Sequence, residues 1–404
     1  MVYSYITEYS HLTMKIAFIG QKGIPTLIGG VEKHVEGLAV HMAARGHEVF
    51  AYTRPHYTDP NLKEYKGVHL ISLPSLKTKN LDAISHTFFA CLDLLRRKVD
   101  IVHFHSIGPS SLIWLVRLLK PNVKIVATFH CQDYYHQKWS FFARTYLKFG
   151  EWMACRFADA TLSISKLLES YAWNAYSTVV KYIPNGVPAA TIRETNEIAK
   201  RWNLSKGSYI LAVSRLIRHK GLHYLIESFR KLDTDKKLVI VGDGSFTDEY
   251  VIELKKTAEG DDRIIFTGAQ HGAVLEELFS NAYMFVQPSV SEGLSLVLLE
   301  AMSYGLTPLV SDIPENTQAI VDGKTGITFR AKDVADLSAK LQNALVDPLT
   351  LSRIGAAAKE QVCTENNWEN TTSEIEQVYG ELMSQTISTR FKRNSFAARI
   401  STLL

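Results

Sequence analysis

Two glutamates eight positions apart carry the strongest chemical signal in the chain. Glu292 and Glu300 flank an apolar run, and Gly293 and Ser295 predict a tight turn before a helix that begins near Leu296. The exposed N–H groups at the start of such a helix attract anions, and carboxylates accept hydrogen bonds from sugar hydroxyls. We therefore predict a phosphate and sugar site here. The alternative is a helix-capping acid followed by a solvated helical glutamate, which the small residues and the preceding strand disfavour.

A basic loop gives the second signal. Arg215 and Lys220 lie in a segment that runs from Ser214 to Gly221 directly after a predicted strand. A planar guanidinium and a compact ammonium together suit a diphosphate. Arg218 and the histidine beside it are expected to be surface residues. The alternative is a solvated basic loop with no ligand.

Two glycine-rich turns could bring backbone close to a ligand. Gly29 and Gly30 precede a predicted helix that starts at Val31, and they would let a phosphate approach the helix N-terminus. The spacing is not that of a dinucleotide-binding fingerprint. The turn formed by Gly242, Asp243 and Gly244 follows another predicted strand; it either lines a nucleobase pocket or is only a turn.

Three histidines lie at or near the ends of predicted strands. His103, His105 and His130 could resemble metal ligands, but no carboxylate or cysteine companion is evident at ligand spacing. We therefore predict no metal. His130 is expected to face the ligand cleft, whereas His103 and His105 are either packed structurally or contact the acceptor.

Short apolar runs alternate with helical patterns along most of the chain, which predicts parallel sheets covered on both faces. The predicted strands are 15–20, 48–53, 101–105, 124–130, 160–165, 209–214, 237–242, 263–268, 284–288 and 307–311. The pattern runs twice, with a turn-rich interval and a polar helix between the halves. The prediction is an α/β protein of two doubly wound, Rossmann-like domains that face each other across a cleft, with the boundary at about 183–206. Ligands of such sheets bind at the carboxyl ends of the strands.

Composition limits the remaining classes. The chain has 404 residues and a formal charge of +4, too small an excess to indicate nucleic-acid binding. Its four cysteines match no zinc pattern and are expected to be reduced thiols of a cytoplasmic protein. Residues 1–13 do not resemble a secretory signal, and no apolar run reaches the roughly 20 residues that span a bilayer. Residues 1–13 and the basic tail at 390–404 are expected to be extensions.

Residues 138–157 form one long helical pattern. An apolar stripe combines Phe142, Tyr146, Phe149, Met153 and Phe157, and the cations Arg144, Lys148 and Arg156 lie elsewhere around the helix. A buried amphipathic helix is the simpler interpretation. The alternative is a face that contacts an anionic membrane surface.

These motifs, in this order, resemble one known family. The set comprises Gly29-Gly30-Val31-Glu32, Ser214-Arg215-x4-Lys220-Gly221, Gly242-Asp243-Gly244 and Glu292-x7-Glu300. It is similar to the family 4 retaining glycosyltransferases of the GT-B type, and the similarity spans about 14–379. One departure is Ser295, where many members have glycine.

The resemblance implies a role for each residue. Arg215 and Lys220 would hold the donor diphosphate, assisted by Gly30, and Glu300 would bind the ribose. Glu292 would bind the transferred sugar, with backbone N–H groups of Leu294, Ser295 and Leu296 assisting. His130 would lie by the anomeric carbon.

The resemblance also implies an overall organisation and activity. It implies an acceptor-binding domain at 14–182, a nucleotide-sugar-binding domain at 183–362 and a helix at 363–380 that crosses back onto the first domain. The donor would be a UDP- or GDP-sugar, with no metal or other cofactor. The acceptor would be a carbohydrate or lipid-linked hydroxyl. A sugar-nucleotide epimerase, another enzyme of this architecture and a non-catalytic sugar-nucleotide-binding protein are the alternatives.

Overall fold

The computed structural model describes residues 13–26, 29–78, 81–132, 134, 140–244 and 248–384. Its chain divides into two compact units. The first contains the described residues up to Ile164, Leu168–Ile183 and the segment from Glu369, and the second contains Ser165–Leu167 and Pro184–Trp368. The chain therefore leaves the first unit after Ile183 and returns to it at Glu369.

An eight-stranded sheet forms the centre of the first unit. Its strands are β1 (Lys15–Ile19), β2 (Glu48–Thr53), β3 (Glu64–Tyr65), β4 (Val68–Ser72), β5 (Ile101–His105), β6 (Lys124–Phe129), β7 (Ala160–Ser163) and β8 (Lys181–Tyr182). Their order is β3-β4-β2-β1-β5-β6-β7-β8, and only the short β3 pairs antiparallel to its neighbour.

A six-stranded parallel sheet forms the centre of the second unit. Its strands are β9 (Tyr209–Val213), β10 (Lys237–Val241), β11 (Ile264–Gly268), β12 (Met284–Gln287), β13 (Pro308–Ser311) and β14 (Ile327–Phe329). Their order is β11-β10-β9-β12-β13-β14. Buried apolar clusters cover both faces of this sheet. The predicted α/β class with two parallel sheets is confirmed, and every predicted strand is present; β3, β4, β8 and β14 were not predicted.

Helices connect most of the strands. They are α1 (Gly30–Ala44), α2 (Asp82–Asp93), α3 (Ile107–Ser110), α4 (Ile113–Leu119), α5 (Phe141–Phe157), α6 (Lys166–Tyr176), α7 (Glu197–Trp202), α8 (Leu222–Phe229), α9 (Asp248–Ala258), α10 (Gly272–Asn281), α11 (Leu296–Ser303), α12 (Pro314–Thr317), α13 (Val334–Val346), α14 (Pro348–Glu365) and α15 (Trp368–Ser384). Local sequence explains several starts. The Asp347 side chain accepts a hydrogen bond from Thr350 N, and Pro348 occupies the first turn of α14.

The two faces of the first sheet carry different helices. Val102 and Phe104 of β5 share a buried apolar cluster with residues of α2, α4 and α5. His103 and His105 alternate with them along β5 and therefore point to the opposite face. There, His34 of α1 contacts His105, and a tyrosine of α15 contacts His103.

The predicted apolar stripe of α5 is divided in the structure. Met153 and Phe157 are buried against the sheet, but Phe142 is 83% exposed and Phe149 is 39% exposed. α5 does bury one side, which includes Leu147. The predicted stripe is wrong for Phe142 and Phe149, which lie outside that buried side. Lys138 and the predicted extensions at 1–12 and 390–404 lie outside the described residues. None of the described helices is both long and apolar enough to cross a bilayer.

Candidate functional site

The carboxyl ends of two neighbouring strands bring Lys220 and Glu292 together. β9 pairs with β12 in the second sheet, so the loops that follow them are adjacent. Lys220 Nζ donates to both carboxylate oxygens of Glu292 at 2.6 and 2.7 Å. The two side chains are only 15% and 7% exposed, so the ion pair is largely shielded from water.

Backbone contacts fix the two loops against each other. Val290 N donates to His219 O at 2.8 Å. Gly221 has φ +68°, and a Cβ there would lie 1.9 Å from Pro288 O. Only glycine tolerates both the left-handed backbone and this close approach. The ammonium of Lys220 is therefore held in place by its own loop and not only by its partner.

Ser295 begins the helix that carries Glu300. Its hydroxyl donates to Gln287 Oε1 at 2.6 Å and accepts from Leu298 N at 3.4 Å. Leu296 is buried and Leu294 packs partly against the core, while Glu300 is half-buried in the second turn of α11. The predicted turn and helix start are confirmed.

A network of buried polar side chains holds the turn between β12 and α11 in place. Gln287 Nε2 donates to Asn316 Oδ1 at 2.8 Å, and Asn316 Nδ2 donates to Ser311 O at 3.0 Å. The Ser311 hydroxyl donates to Ser289 O, and Ser289 Oγ donates to Glu292 Oε1 at 2.6 Å. The network links strand ends that are far apart in sequence, so no local sequence pattern predicts it.

Arg215 lies in the same loop after β9 as Lys220, and the Gly242–Gly244 turn follows the neighbouring strand β10. Arg215 is exposed, and within the described residues it forms no ion pair. Leu216 N donates to Asp243 O at 2.9 Å, which joins the two loops. The Asp243 carboxylate accepts from Ala269 N at 3.0 Å, and Gly244 is exposed.

A third acid near this site was not predicted. Glu315 lies at the start of α12, directly after β13. Burial raises its pKa above the usual value, and the nearby charge of Glu292 raises it further. The carboxylates of Glu292, Glu300 and Glu315 therefore all lie in the loops and helices that follow β12 and β13.

In the first unit, His105 and His130 meet near the ends of β5 and β6. His105 Nδ1 lies 3.1 Å from His130 Nε2, and the His130 ring also packs edge-on against His34 at 4.9 Å between centroids. Both rings are buried. Burial holds the pKa of each far below 6.5, and neighbouring histidines lower it further. Both imidazoles are therefore neutral at pH 7 and can donate or accept a hydrogen bond.

His103 has a different environment. Its Nδ1 lies 2.6 Å from the Tyr379 hydroxyl and its Nε2 lies 2.7 Å from Thr128 Oγ1. The side chain is fully buried, and burial holds its pKa well below 6.5. Because both ring nitrogens are satisfied, the geometry favours a packed structural role over contact with an acceptor.

Gly29 and Gly30 lie at the start of α1. Gly29 has φ +117°, and a Cβ there would lie 1.9 Å from Glu32 Oε2. The Glu32 carboxylate thus already lies at the helix N-terminus, 4.0 Å from Lys22 Nζ. The glycines predict an anion site here, but a carboxylate of the same helix already complements this N-terminus.

One histidine cluster has ligand-like spacing. His34, His105 and His130 each place a ring nitrogen within 4.8 Å of the others, and they form the one such group of metal-ligating side chains among the described residues. The rings of His105 and His130 are neutral, which is the form that binds transition metals, but the cluster contains no carboxylate or thiolate. His34 was not among the candidates because it lies on α1, far from the strand ends in sequence.

Two family models cover most of the chain. "Glycosyltransferase Family 4" matches residues 28–191, and "Glycosyl transferases group 1" matches residues 194–361. The chain belongs to the group 1 glycosyltransferases. The family predicted from Arg215, Lys220, Glu292 and Glu300 is thereby confirmed, and the enzyme transfers sugar in polysaccharide or glycolipid biosynthesis.

Relatives and solved structures agree with this family. A glycogen synthase of Mycobacterium tuberculosis is 27% identical over 91% of this chain and 94% of its own. Sucrose-phosphate synthase of Thermosynechococcus elongatus is 22% identical over 92% of this chain and 100% of its own, with a TM-score of 0.80. HepE of Anabaena, solved in complex with UDP-glucose, is 18% identical over 91% of this chain and 100% of its own, with a TM-score of 0.76. The structural likeness establishes the GT-B fold of this glycosyltransferase.

Proposed function

We propose that this glycosyltransferase moves a sugar from a UDP- or GDP-sugar to a hydroxyl acceptor with retention of the anomeric configuration and without a metal ion. The observation that carries the proposal is the shielded pair of Lys220 and Glu292 beside the start of α11, with exposed Arg215 nearby. The place combines two cations and a helix N-terminus with a carboxylate. A sugar diphosphate needs the cations and the helix for its phosphates and the carboxylate for its hydroxyls.

The second unit would bind most of the donor. Arg215 and Lys220 hold the diphosphate, and Glu300 binds the ribose. Glu292 binds a hydroxyl of the transferred sugar, with the N–H groups from Leu294 to Leu296 assisting. The turn at Gly242–Gly244 lines the nucleobase. When a donor binds, its phosphates share Lys220 with Glu292, which keeps the carboxylate oriented toward the sugar.

The first unit would supply the remaining groups. Gly29 and Gly30 present backbone to the donor phosphates, and His130 contacts the sugar near its anomeric carbon. Neutral His130 is suited to a hydroxyl and not to a charge, because its pKa is held far below 6.5 by burial. His103 and His105 position His130 and the strand ends, consistent with their complete burial.

The chemistry follows from charge development. Breaking the sugar–phosphate bond leaves a nucleoside diphosphate with growing negative charge, and preorganised cations stabilise that charge as it forms. The sugar passes through an oxocarbenium-like state. The acceptor attacks from the face that the leaving phosphate departs from, and the phosphate oxygen takes the acceptor proton. No carboxylate is assigned as a nucleophile, because Glu292 is engaged by Lys220 and Ser289.

Donor and acceptor classes can be narrowed by analogy. Because HepE was solved with UDP-glucose, we would test UDP-sugars as donors before GDP-sugars. We propose a polysaccharide or a lipid-linked saccharide as the acceptor. We propose the cytoplasm as the location, with a lipid-linked acceptor reached at the inner face of the membrane. Nucleic acid is not among the proposed partners.

Three measurements test the proposal. A thermal-shift screen over UDP-, GDP-, ADP- and dTDP-sugars identifies the base, with stabilisation expected for one of the first two. Donor turnover in EDTA, with the metal content of the protein measured in parallel, tests metal independence. The anomeric configuration of the first product, read by NMR, tests retention. Loss of turnover in EDTA that added Mg²⁺ or Zn²⁺ restores would contradict the metal-free mechanism, and an inverted product would contradict the retaining one.

A further inference from the structure

An exposed apolar surface covers the outer side of three helices in the first unit. On α2 and the turn after it, Phe88, Phe89, Leu92 and Leu95 are all exposed, and their spacing places them along one side of the helix. These helices bury their other sides against the sheet. Exposed large apolar side chains grouped in this way mark an interaction site, whereas single ones do not.

The same surface continues across α4 and α5. Trp114 and Leu118 lie one turn apart on α4, and Leu118 is 71% exposed. Phe142 and Phe149 lie two turns apart on α5, and Phe149 contacts Trp152 at 5.9 Å between ring centroids. We call the outer side of α2, α4 and α5 the α2–α4–α5 face.

Hydrogen bonds show that these helices are neighbours. Lys120, just past α4, donates to the carbonyl oxygen of Leu94 at 2.8 Å in the turn after α2. Arg117 of α4 donates to Phe157 O at the end of α5, at 2.9 Å from its terminal nitrogen. The three helices are therefore neighbours on one side of the sheet, and their exposed apolar groups point outward from that side.

The exposed charges on this face have one sign. The exposed ionic side chains in this region are Arg96, Lys98, Arg144, Lys148 and Arg156.

The carboxylates of α2, α4 and α5 are either paired with an arginine or buried. Asp82 pairs with Arg54 at 2.7 Å, Asp93 pairs with Arg97 at 2.5 Å, and Glu151 is fully buried. Within the described residues of α2, α4 and α5 there is thus no exposed carboxylate, and the face is both apolar and cationic.

We propose that the α2–α4–α5 face docks on an anionic lipid bilayer. Aromatic and leucine side chains enter the boundary between headgroups and acyl chains, while the surrounding cations attract anionic headgroups. The charge complementarity selects a membrane over a second copy of the chain, because two copies of this face would bring like charges together. Docking does not depend on the proposed donor chemistry. It places the first unit at the surface where a lipid-linked acceptor would be found.

The test uses the full chain and vesicles. Co-sedimentation is measured with phosphatidylcholine vesicles and with vesicles that also contain phosphatidylglycerol. We expect binding to the second and much weaker binding to the first, falling as salt is added. Replacing three cations together (Arg96→Gln, Lys98→Gln and Arg144→Gln) should weaken binding on the order of 100-fold, since each cation near the surface contributes roughly a fivefold factor.

A second variant tests the apolar contribution. Phe89→Ser, Leu92→Ser and Leu118→Ser together should lower binding by about 10-fold or more. The matched control replaces three exposed apolar residues of the second unit (Ile252→Ser, Val346→Ser and Leu349→Ser) and should bind as the unchanged protein does. Thermal melting checks that each variant is folded.

Several outcomes would overturn the proposal. They are equal binding to neutral and anionic vesicles, no binding to either, and an unchanged affinity in the face variants. A dimer seen by light scattering would also overturn it, if the apolar face variant dissociates that dimer and the unchanged protein does not bind vesicles. The face would then join two copies of the chain. Donor-induced thermal shifts are measured on the same samples. These donor-induced shifts should match those of the unchanged protein if only the membrane proposal fails.

Discussion

Separating the two roles of Lys220 gives the sharpest test of the site. The ammonium is proposed to bind the donor diphosphate, and in the structure it also neutralises Glu292. Lys220→Met removes the charge and keeps the aliphatic stem. Removing one partner of a buried ion pair costs about 3–5 kcal/mol. Because Lys220 is 15% exposed and Ser289 Oγ still donates to the carboxylate, we expect the lower end, about 3 kcal/mol.

That loss has a measurable size. For a unit of this length each kcal/mol lowers the melting temperature by roughly 2–4 °C, so Lys220→Met should melt about 6–12 °C lower. Adding Glu292→Gln removes the uncompensated carboxylate and should restore most of the melting temperature. It should not restore activity. Both variants should consume donor at least about 100-fold more slowly, because the charge on the leaving diphosphate has lost its partner.

Thermal melting and a donor-consumption assay on the same preparations decide the outcome. Recovery of both stability and turnover in the double variant would mean that Lys220 serves only to balance Glu292, and the diphosphate assignment would be lost. Recovery of stability supports the assignment only with turnover below that of Glu292→Gln alone, because the single Gln variant lacks the sugar contact and keeps the Lys220 charge. Near-normal turnover in the single variant would also refute the reasoning.

Three further predictions concern other parts of the molecule. Arg215→Ala should slow turnover about 100-fold with an unchanged melting temperature, whereas Arg218→Ala, an exposed matched control that pairs with Glu253, should leave turnover unchanged. Burial lowers the pKa of His86 to about 4. The unfolded chain, with a pKa near 6.5, therefore binds the proton first, and stability should fall as pH drops from about 6.5 to 4; urea unfolding at pH 7 and pH 5 should show a smaller loss in His86→Gln. Tyr379→Phe leaves one nitrogen of His103 without its partner and should destabilise the protein by about 1–3 kcal/mol in the same unfolding assay.

Strands and the main loops could be predicted from the sequence because they depend on local patterns. Runs of buried valine and isoleucine located the ten predicted strands, and Ser295 with the apolar residues after it located the start of α11. Short or half-exposed strands were missed. β3 has two residues and β14 has three, which is too short for a periodic pattern.

Contacts between distant segments could not be predicted. Lys220 and Glu292 are 72 positions apart, and only the order of β9 beside β12 makes them neighbours. The same holds for Tyr379 and His103, which are 276 positions apart. The exposed side of α5 was misjudged because helical periodicity shows which residues share a face but not which part of that face a neighbouring element covers.

The return of the chain at Glu369 has a consequence for biosynthesis. Val378 and Tyr379 of α15 are buried in the first unit, and Arg45 of the first unit bonds Glu376 of α15 at 2.6 Å. During translation, the strands of the first unit emerge from the ribosome long before α15 does. The whole second unit is synthesised in the interval. The nascent first unit must therefore wait with an apolar surface uncovered, and a chaperone that shields it during translation would raise the yield of folded enzyme.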